Sequence, residues 1–195
     1  MNIFYLDKDP IVAAQMSCDK HVCKMIVESA QMLSTAHRMI DGTEYTDKTK
    51  AGRRIKRWRH PNSNMEHTLY KACHTGHPST LWVMESAYNY HWLYKHMMAL
   101  NTEFKMRYGH ILDHKTIQLL EGALKYPPKN ISLNKVATEP TPAMPDYCKI
   151  AGDSVASYRK YYIFEKQRFA TWKSPASVPE WYIDGVQKAQ EQSLI

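Results

Sequence analysis

His21, Lys24, Glu28, Gln31 and Thr35 recur at steps of three and four residues, the spacing that lines side chains along one stripe of a helix. His21 and Glu28 stand seven residues apart, about two turns, so an imidazole and a carboxylate share that stripe. A polar stripe opposite an apolar one is ordinarily a solvated helix face. Here it mixes His, Glu, Gln and Thr rather than alternating Glu with Lys, and those residue types recur in acid–base networks. A second group is basic. Between Lys48 and Arg59 seven cations, Lys48, Lys50, Arg53, Arg54, Lys56, Arg57 and Arg59, surround Ile55 and Trp58. Such a run must be solvated or laid against phosphates, and Trp58 could stack on a base or sugar. Arg outnumbers Lys four to three in the run, and the guanidinium fork suits phosphate. The aromatic and basic stretch from Ser157 to Lys173 could extend that surface, with its aromatics in the core and Arg159, Lys166 and Arg168 outside.

Other chemistries find little support. Cys18-Asp19-Lys20-His21-Val22-Cys23 and Cys73-His74-Thr75-Gly76-His77 hold ligand types, but neither is a CxxC pair or an HExxH helix. No GxGxxG, GxxxxGKS or GxSxG occurs, and seven glycines leave little room for phosphate-cradling loops. No metal site and no cofactor are expected.

The elements that would position these groups read as helices. Val22, Met25, Ile26, Ala30, Leu33, Ala36 and Ile40 predict a helix over 19–40, with Gly42 as its stop. A second is predicted from Pro78-Ser79 through Trp82, Tyr90, Met97 and Phe104 to Gly109, a third over 115–124, and a fourth from the Asp153 cap through Phe169. No run shows strand alternation. Five of the ten prolines fall between Pro127 and Pro145, which predicts an extended surface loop over about 126–147. The expected fold is therefore all-α: a compact single-domain helical bundle over 1–195, with a basic insertion at about 45–62. The 195 residues, 44% hydrophobic and 23% charged, are ordinary for one globular core. The net charge of +7 points to an anionic partner. No apolar stretch approaches the roughly 20 residues of a membrane span, and no signal peptide is read at the amino terminus. The four cysteines are read as reduced thiols, and the expected location is the cytoplasm, a host's if the protein is viral.

Asp19-x-His21 followed by Glu28 resembles the start of the phage pyrimidine-dimer DNA glycosylases of the endonuclease V type. Gly76-His77, Arg107-Tyr108-Gly109, Pro145-Asp146-Tyr147 and Thr171-Trp172-Lys173 look like further features of that helical family. The resemblance implies a bacteriophage DNA-repair enzyme whose amino-terminal α-amine attacks C1′ of the target nucleotide, expels the base and forms an imine, after which β-elimination can cut the strand. An α-amine, with an ordinary pKa of about 7.7 to 8.0, keeps a neutral fraction near pH 7. Glu28 matches the family's catalytic glutamate, with His21 as a supporting polar group. The family removes its initiator methionine to expose Thr, whereas this chain has Asn2, so the resemblance leaves the amine of Met1 as the nucleophile. The arginines that flank the family's glutamate are Val27 and Gln31 here, which shifts the grip on DNA to Lys24, Arg53, Arg54, Arg57, Trp58, Arg59, Arg159 and Lys173.

The function expected is a metal-independent DNA glycosylase, with or without AP-lyase activity, acting on a damaged or modified base. The alternatives are a non-catalytic nucleic-acid-binding protein and an N-glycosidase acting on free nucleotides.

Overall fold

Asp9 starts the first helix by accepting the backbone N–H groups of Ile11 and Val12, and Pro10 follows with a φ already suited to a helix. The computed structural model describes residues 1–134, 136–193 and 195. In chain order it contains α1 (Pro10–Met16), α2 (Asp19–Asp41), β1 (Thr43–Lys48), β2 (Arg54–Arg59), α3 (Ser63–Thr68), α4 (Pro78–Glu85), α5 (Ala87–Tyr108), α6 (Lys115–Leu124), a 3-10 turn at Asp146–Cys148, α7 (Ser154–Glu165) and α8 (Glu180–Glu191).

The apolar stripe of α2 centres the core. Val22, Ile26, Ala30 and Leu33 on α2 and Leu93, Met97 and Leu100 on α5 are fully buried in one cluster, and α2 also packs on α4 and α6. Each such Leu, Ile or Met contributes roughly 1.5–3 kcal/mol of burial. Residues 3–6 (Ile3, Phe4, Tyr5 and Leu6) join the same cluster, so the amino-terminal segment is a core element although it belongs to no helix.

The fold is mostly helical rather than all-α, because the basic run is a β-hairpin. β1 and β2 pair antiparallel from Thr43–Arg59 to Lys48–Arg54, and Gly52, at φ +76°, supplies the left-handed turn. Thr, Tyr, Ile and Trp favour the extended backbone, while the interspersed cations hide the alternation in the sequence. Gly42 joins the hairpin to α2 at a point where a Cβ would strike the Arg38 carbonyl oxygen and lie 2.9 Å from that of Arg59.

The helix expected over 79–109 is two. Ser86 is extended (φ −158°, ψ 158°), which ends α4, and its hydroxyl accepts the Asn89 N–H to cap α5. The helix expected to reach Phe169 stops at Glu165. Helices α1, α3 and α8 were not among those predicted from the sequence. Residues 125–145 carry no helix or strand among the described residues; Lys135, within the expected proline-rich loop, lies outside them. No helix among the described residues is long and apolar enough to cross a membrane.

Candidate active site

The polar stripe of α2 is covered by the amino-terminal segment. Asn2 is the pivot. Its Oδ1 accepts the N–H groups of Ile3 at 2.8 Å and Phe4 at 3.1 Å, and its Nδ2 donates to the Ala143 carbonyl at 2.8 Å. This tight turn holds Phe4 at φ +47°, a conformation rare for a bulky residue. The Phe4 ring is locked by stacking on His21 with centroids 4.0 Å apart.

The turn delivers two nitrogens to one carboxylate. The backbone N–H of Asn2 donates to Glu28 Oε2 at 3.0 Å, and the Met1 α-ammonium stands 3.5 Å from the same oxygen. Lys24 Nζ lies 3.4 Å from the other oxygen, Oε1, one turn away along α2. The Met1 side chain is only 2% exposed, yet the residue as a whole is half-buried, so solvent reaches Met1 at its main-chain end. Met1, Asn2, Lys24 and Glu28 therefore meet at one place.

His21 does not meet them there. It is buried, its Nδ1 2.5 Å from the Tyr162 hydroxyl, and burial followed by the charges of Lys166, Lys24 and Lys20 lowers its pKa to about 3. A neutral ring beneath Phe4 supports the turn and moves no proton near neutral pH. Thr35 is also buried, its hydroxyl donating to the Gln31 carbonyl at 2.8 Å. His77, noted in the sequence but given no role at the site, is its further neighbour. It caps α4 by accepting the Ser79 N–H on Nδ1 at 3.2 Å. Burial, then the charge of the amino terminus and of His74, lower its pKa, while Glu28 opposes them. His77 is thus an electrostatic neighbour of the amine and the carboxylate, and only its position before Pro78-Ser79 could have marked it as an ordered cap.

The residues expected to grip nucleic acid divide into three groups. Arg53, Arg54 and Arg59 are exposed on the hairpin, Arg59 over the Tyr45 ring at 5.1 Å, and Arg57 and Trp58 are half-buried. The register puts Trp58, Lys56 and Arg54 on one face and Arg59, Arg57 and Ile55 on the other, so the cations do not form one stripe. The root of the hairpin, at the end of α2, is about 20 Å along the helix from Glu28. Lys173 is exposed, its Nζ 5.2 Å from the centre of the Tyr108 ring. Arg159 is partly engaged within the fold: its Nε donates to the Leu6 carbonyl at 2.9 Å, and its Nη2 lies 3.3 Å from Asp7. These contacts fasten α7 to the amino-terminal segment.

All four cysteines are free thiols. No family model, no curated protein and no solved structure matches this chain. The class that fold and site define is a mostly helical protein with an amino-terminal amine paired to a helix-borne glutamate.

Proposed function

We propose that this protein is a DNA glycosylase that works through an imine at its amino terminus. The observation that carries this reading is the convergence of the Met1 amine and the Asn2 nitrogen on one Glu28 oxygen. A carboxylate beside an amine can take its proton and then face a cationic sugar as charge develops there. In the proposed reaction the neutral amine bonds to C1′ while the C1′–N bond to the base breaks, and the base leaves with the electron pair and gains a proton. Opening of the C1′–O4′ bond, with a proton passing from the nitrogen to O4′, gives a protonated imine. Water can then hydrolyse it, restoring the amine. If instead a C2′ proton is lost, the C3′–O bond breaks and the strand is cut. Glu28 is within reach of the amine protons, and Lys24 holds its other oxygen.

Because Asn2 N, at 3.0 Å, is closer to Glu28 than Met1 N, at 3.5 Å, removal of the methionine would leave a new terminal amine at the same carboxylate. The hairpin supplies the phosphate contacts in this reading. The test is reductive trapping: incubation with DNA carrying an abasic or damaged site and borohydride should give a covalent adduct. Glu28→Gln should lower its yield by about 100-fold or more, the size of effect seen when one transition-state partner is removed. Absence of any adduct, together with unchanged DNA binding by Glu28→Gln, would reduce the protein to a nucleic-acid-binding module.

A further inference from the structure

We infer that His37, Asp41 and His60 form a site for one divalent transition-metal ion of the zinc type, separate from Glu28. His37 and Asp41 are one turn apart in the last turns of α2, and His60 directly follows β2, so the site clasps the root of the hairpin. The three donor atoms lie within 4.8 Å of one another. It is the one such group of three among the described residues. Its distance from Glu28 is roughly 14 Å along α2, the rise of nine residues.

The hydrogen bonds show which atoms are left for a ligand. Two acceptors face His37 Nε2: the Tyr126 carbonyl at 3.1 Å and the Tyr90 hydroxyl oxygen at 2.9 Å, whose own proton goes to the Leu124 carbonyl. Nε2 must therefore carry hydrogen, and the lone pair of the neutral ring is on Nδ1. That Nδ1 is buried and has no hydrogen-bond partner, in a residue 4% exposed. His60 Nε2 is likewise buried and unpartnered, in a residue 8% exposed. Buried ring nitrogens are rarely left so, and two of them on residues grouped with one carboxylate call for a shared partner. Asp41 is already aimed: its Oδ2 accepts the Lys129 N–H at 2.8 Å, and its Oδ1 accepts the N–H and Nδ2 of Asn130, each at 3.0 Å. Bonds of this kind to a ligand's outer atoms orient the donors of metal sites, and His37 has its own in the Tyr126 carbonyl.

The chemistry of the donors selects the ion. Two imidazoles and one carboxylate suit zinc or a neighbouring transition metal over magnesium or calcium. Donors on one tetrahedral ion stand about 3.3 Å apart, so from separations of up to 4.8 Å binding requires a closure of up to about 1.5 Å. His60 must also shift its proton from Nε2 to Nδ1, since Nδ1 accepts the Asn62 N–H at 3.1 Å. Asn62 is exposed, and water can replace that one bond. Beyond the three donors a cavity of about 560 Å³, lined by Pro61, Met65, Ala123, Tyr126, Lys129 and Asn130, leaves room for a water or a small anion on the fourth position.

The test uses the full chain, freed of metal by chelator, and Co²⁺ or Zn²⁺ alone as probe. One equivalent of Co²⁺ should bind with visible d–d absorption, and one equivalent of Zn²⁺ should displace it. His60→Gln and Asp41→Asn, each first checked for native circular dichroism, should weaken binding by 100-fold or more, while His91→Gln should not. In the unaltered protein, long-range proton–nitrogen NMR should show Zn²⁺ shifting His37 Nδ1 and His60 Nε2. No saturable uptake, unaltered affinity in both variants, or shifts confined to other histidines would each overturn the site. Because the readouts are binding and ring shifts, they hold whether or not trapping succeeds at the amino terminus.

Discussion

The middle and the end of α2 solve the same problem in opposite ways. At Glu28 a carboxylate on the helix is met by the chain's first two nitrogens and by Lys24, so one negative charge faces two positive ones while solvent still reaches the main chain of Met1. At the far end Arg38 is buried and all five of its N–H donors are used. It donates to the carbonyls of Tyr70, Trp58, Glu66 and Leu69 and pairs with Glu66 at 2.6 Å, while Glu66 also takes the His60 N–H at 2.7 Å. Beside this network two ring nitrogens stay unsatisfied. In the reading proposed above the reachable amine and carboxylate serve proton transfer, whereas the saturated hub serves anchorage beside two ring nitrogens without hydrogen-bond partners.

The largest effect should come from breaking the anchored end. Arg38→Ala removes a buried cation that five acceptors depend on and strands Glu66, which should cost about 3–5 kcal/mol. Urea unfolding should read that loss. If the two ends are independent, borohydride trapping by the folded fraction should persist.

A smaller effect should come from acid, and it sharpens the contrast on the amino-terminal side. His21, at about 3, and His96, lowered to about 4 by burial, both have folded pKa values below the ordinary 6.5. Between about pH 6.5 and 4 the unfolded chain therefore binds protons that the folded chain refuses, and these two groups lose stability as pH falls. Each contributes a slope of about 1.4 kcal/mol per pH unit well inside that window. From pH 6 to 5 the pair should remove about 2 kcal/mol, read as a falling urea midpoint. His96→Gln, which retains a donor for the Pro10 carbonyl, should take about 1 kcal/mol out of the total loss, less than half of it because His37, lowered to about 4 by burial, titrates in the same window.

The smallest effect on the fold should come from the hairpin surface. Replacing exposed Arg53, Arg54 or Arg59 by Ala should change stability by less than about 0.5 kcal/mol. Each lost phosphate contact should instead flatten the log–log salt dependence of DNA binding by roughly 0.9 of a unit on duplex. A set of replacements that leaves the salt slope intact would separate the hairpin from nucleic acid.

Several of these elements were legible in sequence because one short-range rule dominates them. The expected helix over 19–40 is Asp19–Asp41, and that over 115–124 is Lys115–Leu124, since each has an unbroken apolar period. The Asp153 cap works as read, accepting the Ala156 N–H at 2.8 Å. The hairpin was hidden because four of the six residues of β2 are cations, which mask its alternation. Ser86 breaks a helix that its apolar neighbours would continue, and only its capping hydroxyl explains why. Glu28 stood out by its spacing from His21, but that spacing does not reveal that His21 faces Phe4 while Glu28 faces the amino terminus. His37 and Asp41 are an ordinary pair at four residues' spacing until a strand return brings His60 beside them, and nothing local encodes that return.

The hairpin has one more consequence, for how the protein behaves in crowded solution. A sheet of only two strands leaves an open edge on each side, a template on which another extended chain can dock. β1 is exposed along its whole length. Where the β2 edges of two copies meet, the strand reading RIKRWR sets four like charges against four and keeps them apart. Salt or a bound polyanion weakens that repulsion. The same arginines that would hold a nucleic acid therefore also act as the protein's colloidal guard, and neutralising them exposes an edge ready to self-associate.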